Sequence, residues 1–343
     1  MGGDKLLLND HFVRSGGNRA ASSYVSFTKP GLLLAAGLVL AALMALSIAR
    51  AEPSGDVEVQ PRSFGRGYYN LRDGMDTELQ RLMRRSIRDL DLEDEIKDKR
   101  LSVALVDVTD PAYPRLAMVN GDEMMYAASL PKIAILFGAF QKAHEGRLRL
   151  DDSLRRQMVD MIRYSSNEAA THVLNKVGRD YLSGLLQSRH YRFYDANLNG
   201  GLWVGKAYAS GRAYQRDPLH NISHGATVYQ VARFYYMIET GRLVSPEYSR
   251  QMKEIMSNPG IHHKFVKGLE ESRPDARIYR KSGSWREYHA DSAIVERAGR
   301  RYIAVALAEH HKGGEWMQRL IVALDDIVFS QPRPLMQAAS SLQ

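Results

Sequence analysis

The chain has 343 residues, 44% hydrophobic and 25% charged, with no cysteine and a formal charge of +8; this excludes disordered and fibrous classes and leaves room for one large core or two smaller ones. Beyond residue 51 there are 42 basic against 37 acidic side chains, an excess too small and too dispersed to point to nucleic acid as a partner. Without disulfides, stability must come from apolar burial, which a chain of this length can supply.

In chain order, the first element is an unbroken apolar stretch from Gly31 to Ile48, followed by Ala49-Arg50-Ala51. A charge-free run before a small-x-small pattern reads as an export signal. Its 18 residues are also just enough to cross a bilayer, so a cleaved signal and an uncleaved anchor both stay open. Either way, later residues are expected in the periplasm or outside the cell, with membrane contact limited to the N-terminal segment 1–51. We expect the mature chain to begin at Glu52, which N-terminal sequencing of protein from its native host checks; recovery of residues 1–51 intact in the membrane fraction would show an anchor instead.

Residues 52–72 are rich in Pro, Gly, Arg and Ser without a sustained period and read as a linker. The folded domain is expected over 73–330, with an α/β part at 73–122 and 277–330, an all-α part at 123–276, and a polar tail at 331–343. Leu79, Leu82, Met83, Ile87 and Leu90 recur at helical spacing, and Leu101–Val108 with Arg115–Val119 reads as a hairpin around Asp110, Pro111 and Pro114. Helical periods dominate from 123 to 269. Strand signals return at Arg277–Lys281, Ala290–Glu296 and Tyr302–Glu309, before an amphipathic helix at Glu315–Phe329. Two strands before the helical block and three after it predict an α+β fold: an antiparallel sheet of about five strands from both chain ends, flanked by helices, with an inserted all-α subdomain. A cleft between the two parts is the natural ligand site.

Chemistry concentrates in three clusters. Ser129-Leu130-Pro131-Lys132 opens an apolar run from Ile133 to Phe140. Pro131 fits the first turn of a helix, so Ser129 stands at its N-terminus with Lys132 on the same face, in reach of the serine hydroxyl. Burial of that lysine would depress its pKa toward a form able to accept the serine proton. An isolated match is more often a helix cap with a snorkelling lysine, and a second one, Ser26-Phe27-Thr28-Lys29, lies in the leader. Two further clusters add weight. Ser165-Ser166-Asn167 offers a hydroxyl to relay a proton and an amide for a substrate carbonyl. Lys281-Ser282-Gly283, at the end of a strand, offers a cation and a hydroxyl for a carboxylate, with Gly283 admitting substrate to the strand edge.

In the order and local context of these three motifs, residues 75–329 resemble class A β-lactamases and their penicillin-recognising serine-hydrolase relatives. The resemblance implies that Ser129 is acylated, that Lys132 and Ser165 handle protons, that Asn167 positions the acyl side chain, and that Lys281 and Ser282 hold the substrate carboxylate. It implies an oxyanion hole from the backbone N–H groups of Ser129 and Ser284. It also implies a monomer without metal or organic cofactor, whose partner is a small-molecule β-lactam or a peptidoglycan stem peptide.

Several positions depart from the family pattern. Ser166 replaces an aspartate, Ser282 replaces the commoner threonine, Trp285 is bulkier than usual, and the interval of 36 residues from Ser129 to Ser165 is short. Arg286 is a candidate for the carboxylate-binding arginine. The family's deacylating glutamate, in a Glu-x-x-Leu-Asn loop, has no counterpart between Glu168 and Glu239. Asp195-Ala196-Asn197-Leu198-Asn199 keeps that pattern with Asp for Glu, so Asp195 is either a base held one methylene further back or a residue of a polar turn. The leading expectation is β-lactam hydrolysis; a D,D-peptidase and a catalytically silent cell-wall peptide or protein binding module are the alternatives. The histidine pairs 262/263 and 310/311, with His220 and His224, lack motif-spaced partners for zinc and read as surface loops. Tyr229, Tyr235 and Tyr236 read as core packing.

Overall fold

The computed structural model describes residues 70–331; the apolar segment at 31–48, the Ser26–Lys29 motif and the tail after 331 lie outside the described residues. Five antiparallel strands form the central sheet, in the order Arg115–Val119, Leu101–Asp107, Arg300–Glu309, Tyr288–Arg297, Arg277–Trp285. The first and last thirds of the fold are thus knitted together by the pairing of Leu101 with Ala308 through Asp107 with Tyr302, as an α+β fold with both ends in one sheet requires. Among the described residues, no helix is long and apolar enough to cross a membrane.

Both sheet faces are buried, which explains the continuous apolar runs of its central strands. Val103 and Leu105, with Tyr302, Ala304 and Ala306, face a core closed by the helices Thr77–Asp89, Phe265–Ser272 and Gly313–Ser330. Ala104 and Val106, with Ile303 and Val305, face the opposite core, which runs on into the helical part. Asp76 starts the first helix by accepting from Leu79 N, and Arg115 from the edge strand holds its carboxylate at 2.7 Å. Leu71 is buried and Arg72 lies over Tyr229, so packing begins a few residues ahead of the expected start at 73.

Helical periodicity overstates the middle of the chain. Helices run at Lys132–His144, Asp152–Arg163, Asn167–Val177 and Arg179–Gln187, and again at Val228–Glu239 and Pro246–Met256. Between them, residues 188–227 form a long loop with short paired segments, of which His224–Ala226 pairs with Met125–Tyr126 just ahead of Ser129. The apolar residues Leu202, Trp203 and Val204 in this loop are buried, which mimics a helical face in sequence while the backbone pairs as strands.

Candidate active site

The helix Lys132–His144 is buried on every face from Lys132 to Phe140, so its first residue is forced into the interior. Ser129 sits in the turn before it, half-buried, with Lys132 N donating to Ser129 O at 3.2 Å. Ala128, immediately before Ser129, and Ser165 both hold left-handed backbone, with φ of 50° and 57°. Such strain costs about 1–3 kcal/mol per residue and is retained where surrounding structure dictates it.

Lys132 Nζ donates to Ser165 O at 2.6 Å, Asn167 Oδ1 at 2.8 Å and Ser166 O at 3.3 Å, with Ser165 Oγ at 3.4 Å. The expected direct bond to the Ser129 hydroxyl is not formed among the described residues: three nearby oxygens are better acceptors for a buried ammonium than one half-exposed hydroxyl. Burial lowers the Lys132 pKa to about 7, so near neutral pH a large share of the amine can accept a proton.

Lys281 approaches from the sheet and donates to Ser165 Oγ at 3.0 Å and Ser282 O at 2.7 Å. Its pKa is driven well below the ordinary value, by burial first and then by the charge of Lys132. Ser165 therefore bridges two buried amines, a geometry suited to passing a proton between the nucleophile side and a leaving nitrogen. Ser166, standing where the family carries aspartate, caps the helix Asn167–Val177 by accepting from Ala169 N at 3.1 Å.

Lys281-Ser282-Gly283 lies inside the strand Arg277–Trp285, not at its end. The sequence reading of Gly283 also needs correction. A Cβ there would lie 2.2 Å from Ala127 O and 2.8 Å from Ser129 N, so the glycine admits the Ser129 turn to the strand rather than the substrate. That close approach sets Ser129 N beside the segment leading into Ser284.

Behind the strand, Arg280 forms a buried bidentate pair with Asp291 at 2.7 Å on both arms. Lys264 donates to Ser284 Oγ at 2.8 Å and Ala290 O at 3.1 Å, and burial lowers its pKa to about 8. Lys264 gave no signal in sequence, being a single basic residue in an irregular stretch. Arg286, the candidate arginine, sits exposed in the hairpin turn with its guanidinium over Trp285.

A cleft of about 1050 Å³ opens over Ser129. Tyr126, Asn167, Tyr208, His224, Ser284, Trp285 and Tyr288 are part of its wall. Tyr208 is absent from the sequence reading, and His224 corrects it. His224 is buried rather than in a surface loop, stacks flat on Tyr208 at 4.3 Å, and has its pKa pulled to about 3 by burial, Lys206 and Lys132. The Tyr208 ring lies 4.5 Å from Lys132 Nζ, and its hydroxyl donates to Ala128 O at 3.2 Å. An aromatic face, not a carboxylate, is what the long loop presents to Lys132.

Asp195 is not among the residues lining the cleft. It is buried, bound by Arg192, and accepts from Asn197 N at 3.0 Å as the cap of the turn Ala196–Leu198. Of the nine residues singled out in sequence, Lys132, Ser165, Asn167 and Lys281 are joined by hydrogen bonds, Ser129 and Ser284 line the cleft over them, and Ser282 and Gly283 occupy the adjoining strand. Asp195 stands apart.

A family model described as the β-lactamase enzyme family matches residues 82–160 and 153–329. Among solved structures, the chain is similar to a β-lactamase from Sphaerobacter thermophilus DSM 20745, at 16% identity and a TM-score of 0.56 over 73% of this chain and 98% of that one. It is similar to a representative class A β-lactamase from Bacteroides cellulosilyticus DSM 14838, at 15% identity and a TM-score of 0.57 over 75% and 100%. PBP-A aligns at 17% identity with a TM-score of 0.55 over 75% and 98%. At such identities the likeness shows the fold. No curated protein sequence matches. With the family match spanning most of the described domain and all three motifs, the chain belongs to the β-lactamase enzyme family, with the fold of the penicillin-recognising serine enzymes.

Proposed function

We propose that the chain forms an acyl-enzyme on Ser129 with β-lactams and with D-Ala-D-Ala ends of peptidoglycan stem peptides, and that it releases the acyl group slowly, as a penicillin-binding peptidase does. The observation that carries this reading is a serine turn beside two buried lysines sharing Ser165, in a cleft whose lining contains no carboxylate. Neutral Lys132 takes the Ser129 proton as Oγ attacks the carbonyl carbon. The oxyanion forms against the N–H groups of Ser129 and Ser284. The carbon–nitrogen bond then breaks, and the nitrogen receives its proton through Ser165. Lys281 offers an N–H donor to the substrate carboxylate, whose negative charge in turn favours the protonated amine. Export by the 31–48 segment would place this chemistry on the cell-wall side of the membrane.

Release requires a water activated on the acyl carbon. Asp195 is supported in that role only by its sequence pattern, since its carboxylate is already engaged by Arg192 and by its own turn. Intact-mass spectrometry after mixing with benzylpenicillin should therefore show an adduct that persists, and Asp195→Asn should leave its lifetime unchanged within about twofold. A short-lived adduct that Asp195→Asn prolongs would instead establish rapid β-lactam hydrolysis. Absence of any adduct in folded protein would leave a binding module.

A further inference from the structure

Beyond the catalytic groups, the cleft has a second chemical character. Its lining includes Lys206, Arg212 and Arg216 and no aspartate or glutamate. All three lie on one loop, and among the described residues none is paired with a carboxylate; Arg216 donates only to the backbone carbonyl of Asn221, at 2.8 Å. Lys206 is partly buried while Arg212 and Arg216 are exposed; several basic side chains elsewhere are matched, as Lys253 is with Glu239 and Glu296, Arg115 with Asp76 and Arg297 with Asp325. Like charges gathered on one loop without acidic partners repel one another, and an anion bound among them relieves that repulsion.

The loop is anchored. Gly205 O accepts from both Tyr214 N and Gln215 N at 2.9 and 3.0 Å, Tyr214 Oη donates to Val204 O at 2.7 Å, and Arg179 packs over the Tyr214 ring. A Cβ at residue 205 would fall 1.6 Å from Gln215 O, so only glycine allows this closure. At its near end, Tyr208 ties the loop to Ala128, next to the nucleophile. The cations are therefore carried at a set place relative to Ser129.

We propose that Lys206, Arg212 and Arg216 form an anion subsite that selects acyl donors bearing a second carboxylate, beyond the one held at Lys281, such as a stem peptide with a free side-chain carboxylate. This deepens the acyl-enzyme reading and rests on it for the reaction, but the subsite can be tested without acylation. The probes are benzylpenicillin and carbenicillin, which differ by one carboxylate on the acyl arm. With full-length Ser129→Ala, which cannot be acylated, calorimetry should give carbenicillin a Kd at least about tenfold lower at low salt. That ratio should fall toward one at 0.5 M NaCl, where the Debye length is only about 4 Å. It should also approach one in Ser129→Ala carrying Lys206→Gln, Arg212→Gln and Arg216→Gln, with folding checked by circular dichroism. Equal affinities in the parent, or a preference that survives the three substitutions, would overturn the subsite. In the protein with Ser129 intact, the same preference should appear in the acylation rate. If neither penicillin forms an adduct while the Kd ratio holds, the acyl-enzyme reading fails and the subsite stands.

Discussion

Ser129→Ala should remove covalent labelling by fluorescent penicillin, a loss on the order of 10⁴ or more in acylation rate, while leaving the fold intact. The Ser129 hydroxyl lines the cleft in the turn before Lys132, and the serines around the two buried amines are already engaged. Ser165 is held between Lys132 and Lys281, Ser166 caps a helix, and Ser284 Oγ accepts from Lys264. Because the Ser129 side chain forms no hydrogen bond among the described residues, its loss should move the melting temperature by no more than about 2 °C. Ser26→Ala, in the second copy of the motif, should leave labelling unchanged. Gel fluorescence and intact mass read both variants; labelling that survives Ser129→Ala would show that another residue is the nucleophile.

Lys132→Met should lose acylation by about a thousandfold or more and at the same time make the protein more stable at neutral pH. Burial holds the Lys132 pKa at about 7, against an ordinary value of about 10.5 in the unfolded chain. The unfolded state therefore binds more protons than the folded state between those values, and stability rises with pH across that window. Below it, the full cost of burying the ammonium is present. Methionine fills a similar volume without that cost, although Ser165 O and Asn167 Oδ1 lose a donor, which offsets part of the gain. A net increase of about 1–3 kcal/mol, or a few degrees in melting temperature, is expected.

The same pKa sets the acylation profile of the native protein. The rate should rise with pH through about 7 and be about fiftyfold lower at pH 5 than at pH 7, following the neutral fraction of the amine. Denaturation curves from pH 6 to 10 for both proteins, with stopped-flow acylation of the native one, check each part. A Lys132→Met protein that is less stable, or a flat acylation profile, would remove Lys132 as the buried base.

Much of the architecture was legible because it rests on local periodicity. The five sheet strands were found within a few residues, since β-branched and apolar runs between turn residues have few other uses. The helix after Lys132 was equally plain, as apolar character from Ile133 to Phe140 leaves no face for solvent. The loop from 188 to 227 was not legible, because Leu202, Trp203 and Val204 are buried by pairing and packing with segments distant in sequence.

What the sequence determined by itself was the set and order of reactive groups: Ser129 and Lys132 at a helix start, Ser165 and Asn167 at another, Lys281 to Gly283 on a strand. Each depends on one element and its first turn. Tertiary structure alone decided which groups share hydrogen bonds and which residue faces Lys132. Lys132 and Lys281 meet at Ser165 because the helical part closes over the sheet. Tyr208 rather than Asp195 reaches the lysine because the long loop folds its aromatic segment over the Ser129 turn and leaves Asp195 to Arg192. A carboxylate's role depends on the partners that three-dimensional packing gives it, and spacing along the chain does not specify those.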